Sequence, residues 1–310
     1  MRIQLHANAK INLLLDITGR RADGYHTITG VMQAVSLGDT VTVTVEDPTD
    51  GMHLCTLGPR PGMAETITLT CSNPDLPTDH RNLAWRAAEA FFTATGCGCR
   101  RLTIHIEKRI PAAAGLAGGS TDAAAVLKAL NQLFSRPLTD DRLCAVGLTL
   151  GADVPFCIMG GAQITEGVGE VLSPVPSMPA CTLVIACGGE GVSTPAAYKA
   201  LDGMYGGFEP TAYAPHRQTL EDLLTALRKG DTEGVCTHLF NIFESAVLSE
   251  RPVARAIKET LLASGAKAAL MSGSGPSVFG IFEAGDPAAQ RAREALEAQG
   301  ILACVCEPVR

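Results

Sequence analysis

The chain has 310 residues, which predicts two domains at roughly 150 residues per domain. Hydrophobic residues make up 46% of it and charged residues 18%, so it can bury a sizeable core, and this composition argues against intrinsic disorder. The net charge of −7 argues against nucleic acid as the main partner, because a phosphate backbone favours a basic protein face. A small anion could still be held by local cations and backbone N–H groups.

Neither a signal peptide nor a membrane span is predicted. Lys10 and Asn12 interrupt the apolar run near the start, and no apolar run reaches the ~20 residues that a spanning helix needs. The 11 cysteines include no C-x-x-C pair, which argues against a zinc site. We therefore expect a cytoplasmic protein with reduced thiols and no membrane or nucleic-acid partner.

The hydrophobic pattern predicts strands and helices in mixed order. The first half has predicted strands at Ile11–Leu15, Thr40–Glu46, Thr66–Thr70 and Arg101–Glu107, and predicted helices at Asn82–Thr95, Ser120–Phe134 and from Thr139 toward Leu150. The second half has predicted strands at Thr182–Ala186, Ala268–Met271, Val278–Phe282 and Ile301–Cys306, and predicted helices at Leu220–Lys229, Asp231–Leu248, Val253–Ala263 and Pro287–Ala298. Without a strict βαβ repeat, the order favours an α+β fold, with a domain boundary near Gly161–Glu170.

The segment Pro111–Asp122 is a candidate phosphate-binding loop. It follows a predicted strand and opens a predicted helix, whose first N–H groups and positive dipole end favour an anion. Its three glycines let the backbone approach a ligand, and Ser120 and Thr121 offer hydroxyls to a phosphate oxygen or a metal. The sequence is neither a Walker A loop nor a dinucleotide fingerprint. A plain Gly-rich helix N-terminus is the alternative interpretation.

A second Gly-rich turn and two isolated charges complete the candidate chemistry. Ser272–Ser277 lies between two predicted strands and is either an ordinary hairpin turn or a cover for the same phosphates. Lys10 is a lone cation in an apolar strand, and Asp153 is a lone carboxylate before an apolar stretch, where a buried carboxylate needs a partner. The two form either a structural ion pair or a catalytic pair of a kinase.

Five segments together resemble the GHMP kinase superfamily and follow its order: Ala9–Leu13, Gly24–His26, Pro111–Asp122, Gly151–Pro155 and Ser272–Ser277. The resemblance implies a two-domain α+β GHMP kinase fold. Its N-terminal domain, residues 1–164, is expected to be similar to ribosomal protein S5 domain 2, and its C-terminal domain, residues 165–310, to be ferredoxin-like. It also implies that the chain uses ATP to phosphorylate a hydroxyl of a small molecule that carries a cytidine diphosphate group.

The resemblance assigns roles to individual residues. Asp153 corresponds to the catalytic base and Lys10 to the assisting lysine, and Asn12, on the same strand face as Lys10, helps to hold the substrate. The residues implied in recognising the cytidine group are Tyr25, His26, Thr194 and Tyr198. Those implied in binding ATP are Asn82, Leu83, Lys108, Pro111, Ala112, Ala113, Ala114, Gly115, Leu116, Ala117, Gly118, Gly119, Ser120 and Thr121.

Two departures from the superfamily pattern affect the loop. Ala117 stands where glycine is more usual and is expected to fit only if its φ is negative. No second acidic metal ligand is evident, so Mg²⁺ is expected to arrive with ATP and to meet Ser120. Two other functions remain: a GHMP kinase that acts on mevalonate, a sugar or homoserine, and a nucleotide-binding module without catalysis.

Overall fold

The computed structural model describes residues 1–49, 64–208 and 215–310, which form two compact units. Each unit is assembled from three segments. The first unit contains Met1–Ala9, Gly38–Ile110 and Ala117–Met159, and the second contains Lys10–Leu37, Pro111–Leu116 and Gly160–Arg310. The Gly-rich loop is therefore shared, with its division between Leu116 and Ala117. The predicted domain division at residue 164 stays a prediction.

The first unit contains two whole strands, parts of two others and four helices. The strands β3 (Ala64–Cys71) and β4 (Gly98–Glu107) lie wholly within it, whereas β1 (Arg2–Arg20) contributes its residues up to Ala9 and β2 (His26–Thr49) its residues from Gly38. The strand order is β3-β4-β2-β1. Strand β3 runs parallel to β4, and β2 runs antiparallel to it. The helices are α1 (Leu83–Thr95), α2 (Gly118–Leu133), α3 (Asp140–Leu148) and α4 (Val154–Met159).

Local sequence signals explain the elements of the first unit. The alternation of valine and threonine in β2 buries Val41, Val43 and Val45 in the core, as the predicted strand requires. Helix α1 begins where Asn82 Oδ1 accepts a hydrogen bond from Ala84 N, and it ends at Gly96, whose φ is 70°. These observations confirm the predicted strand and helix.

The second unit is built around an antiparallel sheet. That sheet has the order β11-β7-β10-β9 and consists of β7 (Thr182–Cys187), β9 (Ala268–Met271), β10 (Val278–Phe282) and β11 (Leu302–Cys306). The shorter strands are β5 (Ala162–Glu166), β6 (Val171–Val175) and β8 (Phe240–Asn241). The helices are α5 (Thr194–Met204), α6 (Arg217–Lys229), α7 (Thr232–Thr237), α8 (Phe243–Glu250), α9 (Pro252–Ala263) and α10 (Pro287–Glu297), with a 3₁₀ turn at Gly206–Phe208.

The central strands of this sheet are apolar on both faces. Every residue of β10 is buried, and so are five of the six residues of β7, because helices pack on the sheet. The strands β9 and β10 have the predicted bounds, and β7 and β11 differ from theirs by one residue.

The predicted helix Asp231–Leu248 is wrong, because the structure divides it into α7, β8 and α8. The break occurs where Phe240–Asn241 pairs in parallel with Leu14 and Leu15 of β1. The Asn241 side chain then accepts a hydrogen bond from Phe243 N at 3.0 Å and starts the next helix. Tertiary pairing outweighs a continuous helical pattern here. The prediction also missed α4, β5, β6 and α5.

Ten of the cysteines lie in the described segments as free thiols, and Cys55 lies outside them. None of the helices in those segments has the length and apolar character that a membrane span requires.

Candidate functional site

The first half of the Gly-rich loop, Pro111–Leu116, belongs to the second unit. The side chains of Ala114 and Leu116 are buried, so this half offers its backbone rather than those side chains to a ligand. Gly115 has a φ of 74°, and a Cβ added there would lie 2.2 Å from the carbonyl oxygen of Ser272. Only glycine allows this approach.

The second half of the loop opens helix α2, which begins at Gly118, two residues before the predicted start. Ala117 has a φ of 60°, so the expectation of a negative φ is wrong. It lies in the left-handed region at the helix N-cap and provides no side-chain cap. The first N–H groups of α2 have no partner within the helix, which makes this end suited to a phosphate.

The two hydroxyl groups of the loop have different surroundings. Thr121 is buried, and its Oγ1 donates a hydrogen bond to the carbonyl oxygen of Asn8 at 2.8 Å. This bond holds α2 on β1 within the first unit, so the Thr121 hydroxyl proton is not offered to a phosphate. Ser120 is half-buried in the first turn of the helix. The Ser120 hydroxyl is therefore on the more accessible of the two residues.

Lys10 is a buried cation of β1 in the second unit, only 5% exposed. Its Nζ donates a hydrogen bond to Asn12 Oδ1 at 2.6 Å, which confirms that the two side chains share one face of the strand. A Cβ added at Gly273 would lie 3.3 Å from this Nζ. The amine therefore reaches the backbone of the second Gly-rich turn.

That turn, Ser272–Ser277, connects the antiparallel strands β9 and β10, as predicted for a hairpin. It also contacts other predicted site residues of the second unit. The Ser272 Oγ donates to the carbonyl oxygen of Gly115 at 3.0 Å, and the hydroxyls of Ser274 and Thr194 lie 2.9 Å apart. The side-chain amide of Asn241 fixes the turn by donating hydrogen bonds to the carbonyl oxygens of Met271 and Gly273.

Asp153 belongs to the first unit and directly precedes α4. The structure leaves it half-buried, so the expected burial of this carboxylate is wrong. Its backbone carbonyl accepts a hydrogen bond from Cys157 N at 3.1 Å, which closes the first turn of α4. The buried side chains of Val154 and Phe156 hold the backbone within that turn.

Lys108, implied as an adenine contact, instead joins two buried carboxylates in the first unit. Its Nζ donates to Asp39 Oδ2 and, at 2.8 Å, to Asp122 Oδ2. Asp39 Oδ1 also accepts hydrogen bonds from the backbone N–H groups of Arg109 and Ile110. We call Asp39, Lys108 and Asp122 the buried triad. Its carboxylates tie the segment before the Gly-rich loop to helix α2.

Burial and the unbalanced charges of the triad shift the pKa values of Asp122 and Lys108. Burial raises the pKa of Asp122 to about 7, assisted by the charge of Asp39 and opposed by Lys108. Burial would lower the pKa of Lys108, but the two carboxylates outweigh it and raise the pKa. Asp122 Oδ1 is buried and has no hydrogen-bond partner within the described residues. A proton on Asp122 relieves the excess negative charge.

This shift predicts a pH dependence of stability that Asp122→Asn removes. Between its usual value of 3.8 and about 7, folded Asp122 holds a proton that the unfolded chain lacks. The free energy of unfolding should therefore fall as pH rises through this range, by about 2–4 kcal/mol. Urea denaturation from pH 4 to 8 measures the difference between wild type and variant. Parallel curves for the two proteins would contradict the assignment.

The other two adenine candidates lie in the first unit. The Asn82 side chain caps α1 and donates to the carbonyl oxygen of Pro77 at 2.8 Å. Leu83 lies beside the loop, because a Cβ added at Gly119 would be 3.5 Å from its Cδ1. Leu83 therefore offers an apolar surface next to the start of α2.

Three of the cytidine candidates have well-defined neighbours in the second unit. His26 begins β2, and its ring stacks on Tyr198 with centroids 4.7 Å apart and an interplanar angle of 15°. Thr194 begins α5 and reaches Ser274, as described above. Tyr25 lies in the loop between β1 and β2 and is 67% exposed.

Three polar residues lie outside the predicted site: Asp39, Asp202 and Asn241. A fourth, Asp122, was predicted only as the last residue of the Gly-rich loop, without a role of its own. Asp39 and Asp122 accept hydrogen bonds from Lys108. Asp202 is hydrogen-bonded to His26, and Asn241 donates to the carbonyl oxygen of Gly273 in the second Gly-rich turn. Buried polar residues need partners, so the position of Asp39 just before the apolar alternation of β2 was a usable signal. Nothing local marks Asp202 or Asn241.

Comparison with known proteins agrees with this geometry. The GHMP kinases N terminal domain matches residues 82–161, and the GHMP kinases C terminal domain matches residues 223–302. The chain belongs to the GHMP kinases, which are small-molecule kinases with ATP as co-substrate. The predicted two-domain α+β fold is confirmed.

The relatives at higher identity carry a more specific name. A 4-diphosphocytidyl-2-C-methyl-D-erythritol kinase of Alkaliphilus metalliredigens is 39% identical, over 91% of this chain and 88% of the relative. One of Gloeobacter violaceus is 42% identical, over 90% and 85%. The crystal structure of a 4-(cytidine 5'-diphospho)-2C-methyl-D-erythritol kinase has a TM-score of 0.76 at 33% identity and covers 99% of this chain and 100% of that one. A homoserine kinase of Cytophaga hutchinsonii, at 20% identity and a TM-score of 0.71, shares the fold over 99% of this chain and 94% of its own.

Proposed function

We propose that the chain phosphorylates 4-diphosphocytidyl-2-C-methyl-D-erythritol on its 2-hydroxyl with ATP, in non-mevalonate isoprenoid precursor biosynthesis. The observation that carries the proposal is the second Gly-rich turn, which packs on Gly115 and lies beside Lys10 Nζ. It brings a buried cation to a loop whose backbone is suited to phosphate. The names of the relatives support the choice of substrate. A cytoplasmic location is part of the proposal.

The proposed reaction assigns the chemistry to two residues. Asp153 takes the proton of the substrate hydroxyl, and the oxygen forms a bond to the γ-phosphorus as the bond to ADP breaks. Lys10 stabilises the charge on the transferring phosphoryl group, and Asn12 orients the Lys10 amine through the 2.6 Å hydrogen bond. The cytidine group is held by Tyr25, His26, Thr194 and Tyr198.

The donor is proposed to bind along the Gly-rich loop. The backbone of residues 111–119 and the N-terminus of α2 face the phosphates, and Leu83 contacts the adenine. Lys108 has a structural position in this proposal, because its amine is already paired with two carboxylates. Asn82 supports the adenine pocket by capping α1.

Mg²⁺ is proposed to enter with ATP. No group of three or more His, Cys, Asp and Glu side chains in residues 1–49, 64–208 and 215–310 could hold a metal ion. Mg²⁺ bound by phosphates needs few protein ligands, so the half-buried Ser120 fits this role. The ion supplies charge neutralisation on the phosphates.

A direct assay tests the proposed function. The purified protein should form ADP from ATP when 4-diphosphocytidyl-2-C-methyl-D-erythritol is present, and ³¹P NMR should detect a new phosphomonoester on the substrate. Mevalonate, homoserine and galactose serve as parallel acceptors. A higher kcat/KM on any of these three would replace the proposed substrate, and ATP binding without turnover on all four would indicate a binding module.

A further inference from the structure

His26 is held on two sides by helix α5. Its Nε2 lies 2.7 Å from Asp202 Oδ1, and its ring face lies on Tyr198, four residues earlier on the same helix. The Phe208 ring meets the imidazole edge-on at 5.7 Å. The His26 side chain is only 8% exposed, so the ring has a single orientation.

The carboxylate determines which ring nitrogen carries the proton. An ionised Asp202 only accepts hydrogen bonds, so the His26 Nε2 must be the N–H that donates to it. In a neutral imidazole the Nδ1 is then the acceptor. Arg20 supports the ionised carboxylate, since its guanidinium lies 3.7 Å from Asp202 Oδ2 and its Nε donates to the carbonyl oxygen of Gly24.

An acceptor nitrogen distinguishes the two common pyrimidines. Cytosine carries an exocyclic amino group, which donates, at the position where uracil carries a carbonyl oxygen, which only accepts. An acceptor opposite uracil would place two lone pairs against each other in a partly desolvated site.

We propose that the Nδ1 of His26 faces the 4-position of the pyrimidine and that Asp202 is a positioning residue, which holds His26 as the Nε2–H tautomer and thereby makes the pocket prefer cytidine diphosphate substrates over uridine diphosphate ones. This inference rests on the proposed function. Asp202 itself touches neither the base nor the reacting atoms in this scheme. It acts through His26, so its effect is expected on substrate selection.

The test compares kcat/KM for 4-diphosphocytidyl-2-C-methyl-D-erythritol and its uridine analogue in wild type, Asp202→Ala and Asp202→Glu. The alanine variant should lose about 10- to 100-fold of the preference for the cytidine substrate, mainly through KM, with the KM for ATP unchanged. The glutamate variant should recover part of it. Asp222→Asn is the control, because that half-buried carboxylate of α6 bonds only to Gln218 among the described contacts.

The outcomes separate this inference from the proposed function. An unchanged ratio in Asp202→Ala would overturn the role of Asp202 while leaving the substrate assignment intact. Absence of turnover on either pyrimidine substrate by wild type would overturn both. If the alanine variant fails to fold, ¹⁵N NMR of the wild-type histidines decides, with His26→Gln for assignment. A proton on Nδ1, whether or not Nε2 also carries one, would refute the proposed acceptor role of Nδ1.

Discussion

Replacing Asp153 with asparagine should lower kcat by about 10²- to 10⁴-fold, because the amide cannot accept the proton of the substrate hydroxyl. The KM for ATP should stay within a few-fold of wild type, since the donor phosphates are proposed to bind the Gly-rich loop. Asparagine preserves the shape of the side chain, and Asp153 is only half-buried, so the fold should be retained. Steady-state kinetics and thermal unfolding measure the two properties on the same preparation.

The matched control is Asp141→Asn, an exposed carboxylate in the first turn of the neighbouring helix α3. It should keep full kcat. Since product release can hide a slow chemical step, single-turnover measurements should accompany the steady-state rates. A single-turnover rate for Asp153→Asn within threefold of wild type would end the assignment of Asp153 as the base.

Replacing Lys108 with methionine should destabilise the protein by about 3–5 kcal/mol, because it leaves the buried Asp39 and Asp122 without their cation. The buried triad also joins the segment before the Gly-rich loop to α2. Loss of affinity for ATP should therefore accompany the loss of stability. Urea denaturation at pH 8, where Asp122 is largely ionised, gives the largest difference.

Lys267→Met is the comparison for Lys108→Met, because the carboxylates that pair with Lys267 are exposed and those that pair with Lys108 are buried. Lys267 also pairs with two carboxylates, Glu233 and Glu283, but both are well exposed, so its loss should change stability little. A second check uses the double variant with Asp122→Asn. Removing one buried carboxylate should reduce the cost of Lys108→Met, because less uncompensated charge remains. Equal costs in both backgrounds would contradict the coupling of the three residues.

Predictions from the sequence succeeded where the signal is local. The spacing of Lys10 and Asn12 places both on one strand face, and the structure joins them by a hydrogen bond. The position of the Gly-rich loop at a helix N-terminus was also predictable, because a strand pattern ends and a helical pattern begins there. The helix caps at Asn82 and Thr139 follow the same logic.

Predictions failed where distant segments compete with local preference. Ala117 adopts a left-handed conformation that its residue type does not favour, because the backbone must turn there into α2. The helix predicted from Asp231 is interrupted because Asn241 belongs to β8, which pairs with β1. The Asn241 side chain also donates a hydrogen bond to the second Gly-rich turn. Thr121 appears in the sequence as a free hydroxyl and is instead bonded to Asn8.

The sequence by itself indicated the kinase class, through the resemblance of five segments to the GHMP kinases, and it supplied the candidate phosphate loop and the residues proposed for the chemistry. Only the tertiary structure decided how the buried charges are paired. Lys108 follows the predicted strand Arg101–Glu107, and it joins a carboxylate 69 residues earlier to one 14 residues later. Asp202 lies 176 residues from His26 and still determines its hydrogen bonding. Such pairs form because a buried charge without a partner is energetically costly, whatever the distance between the two residues along the chain.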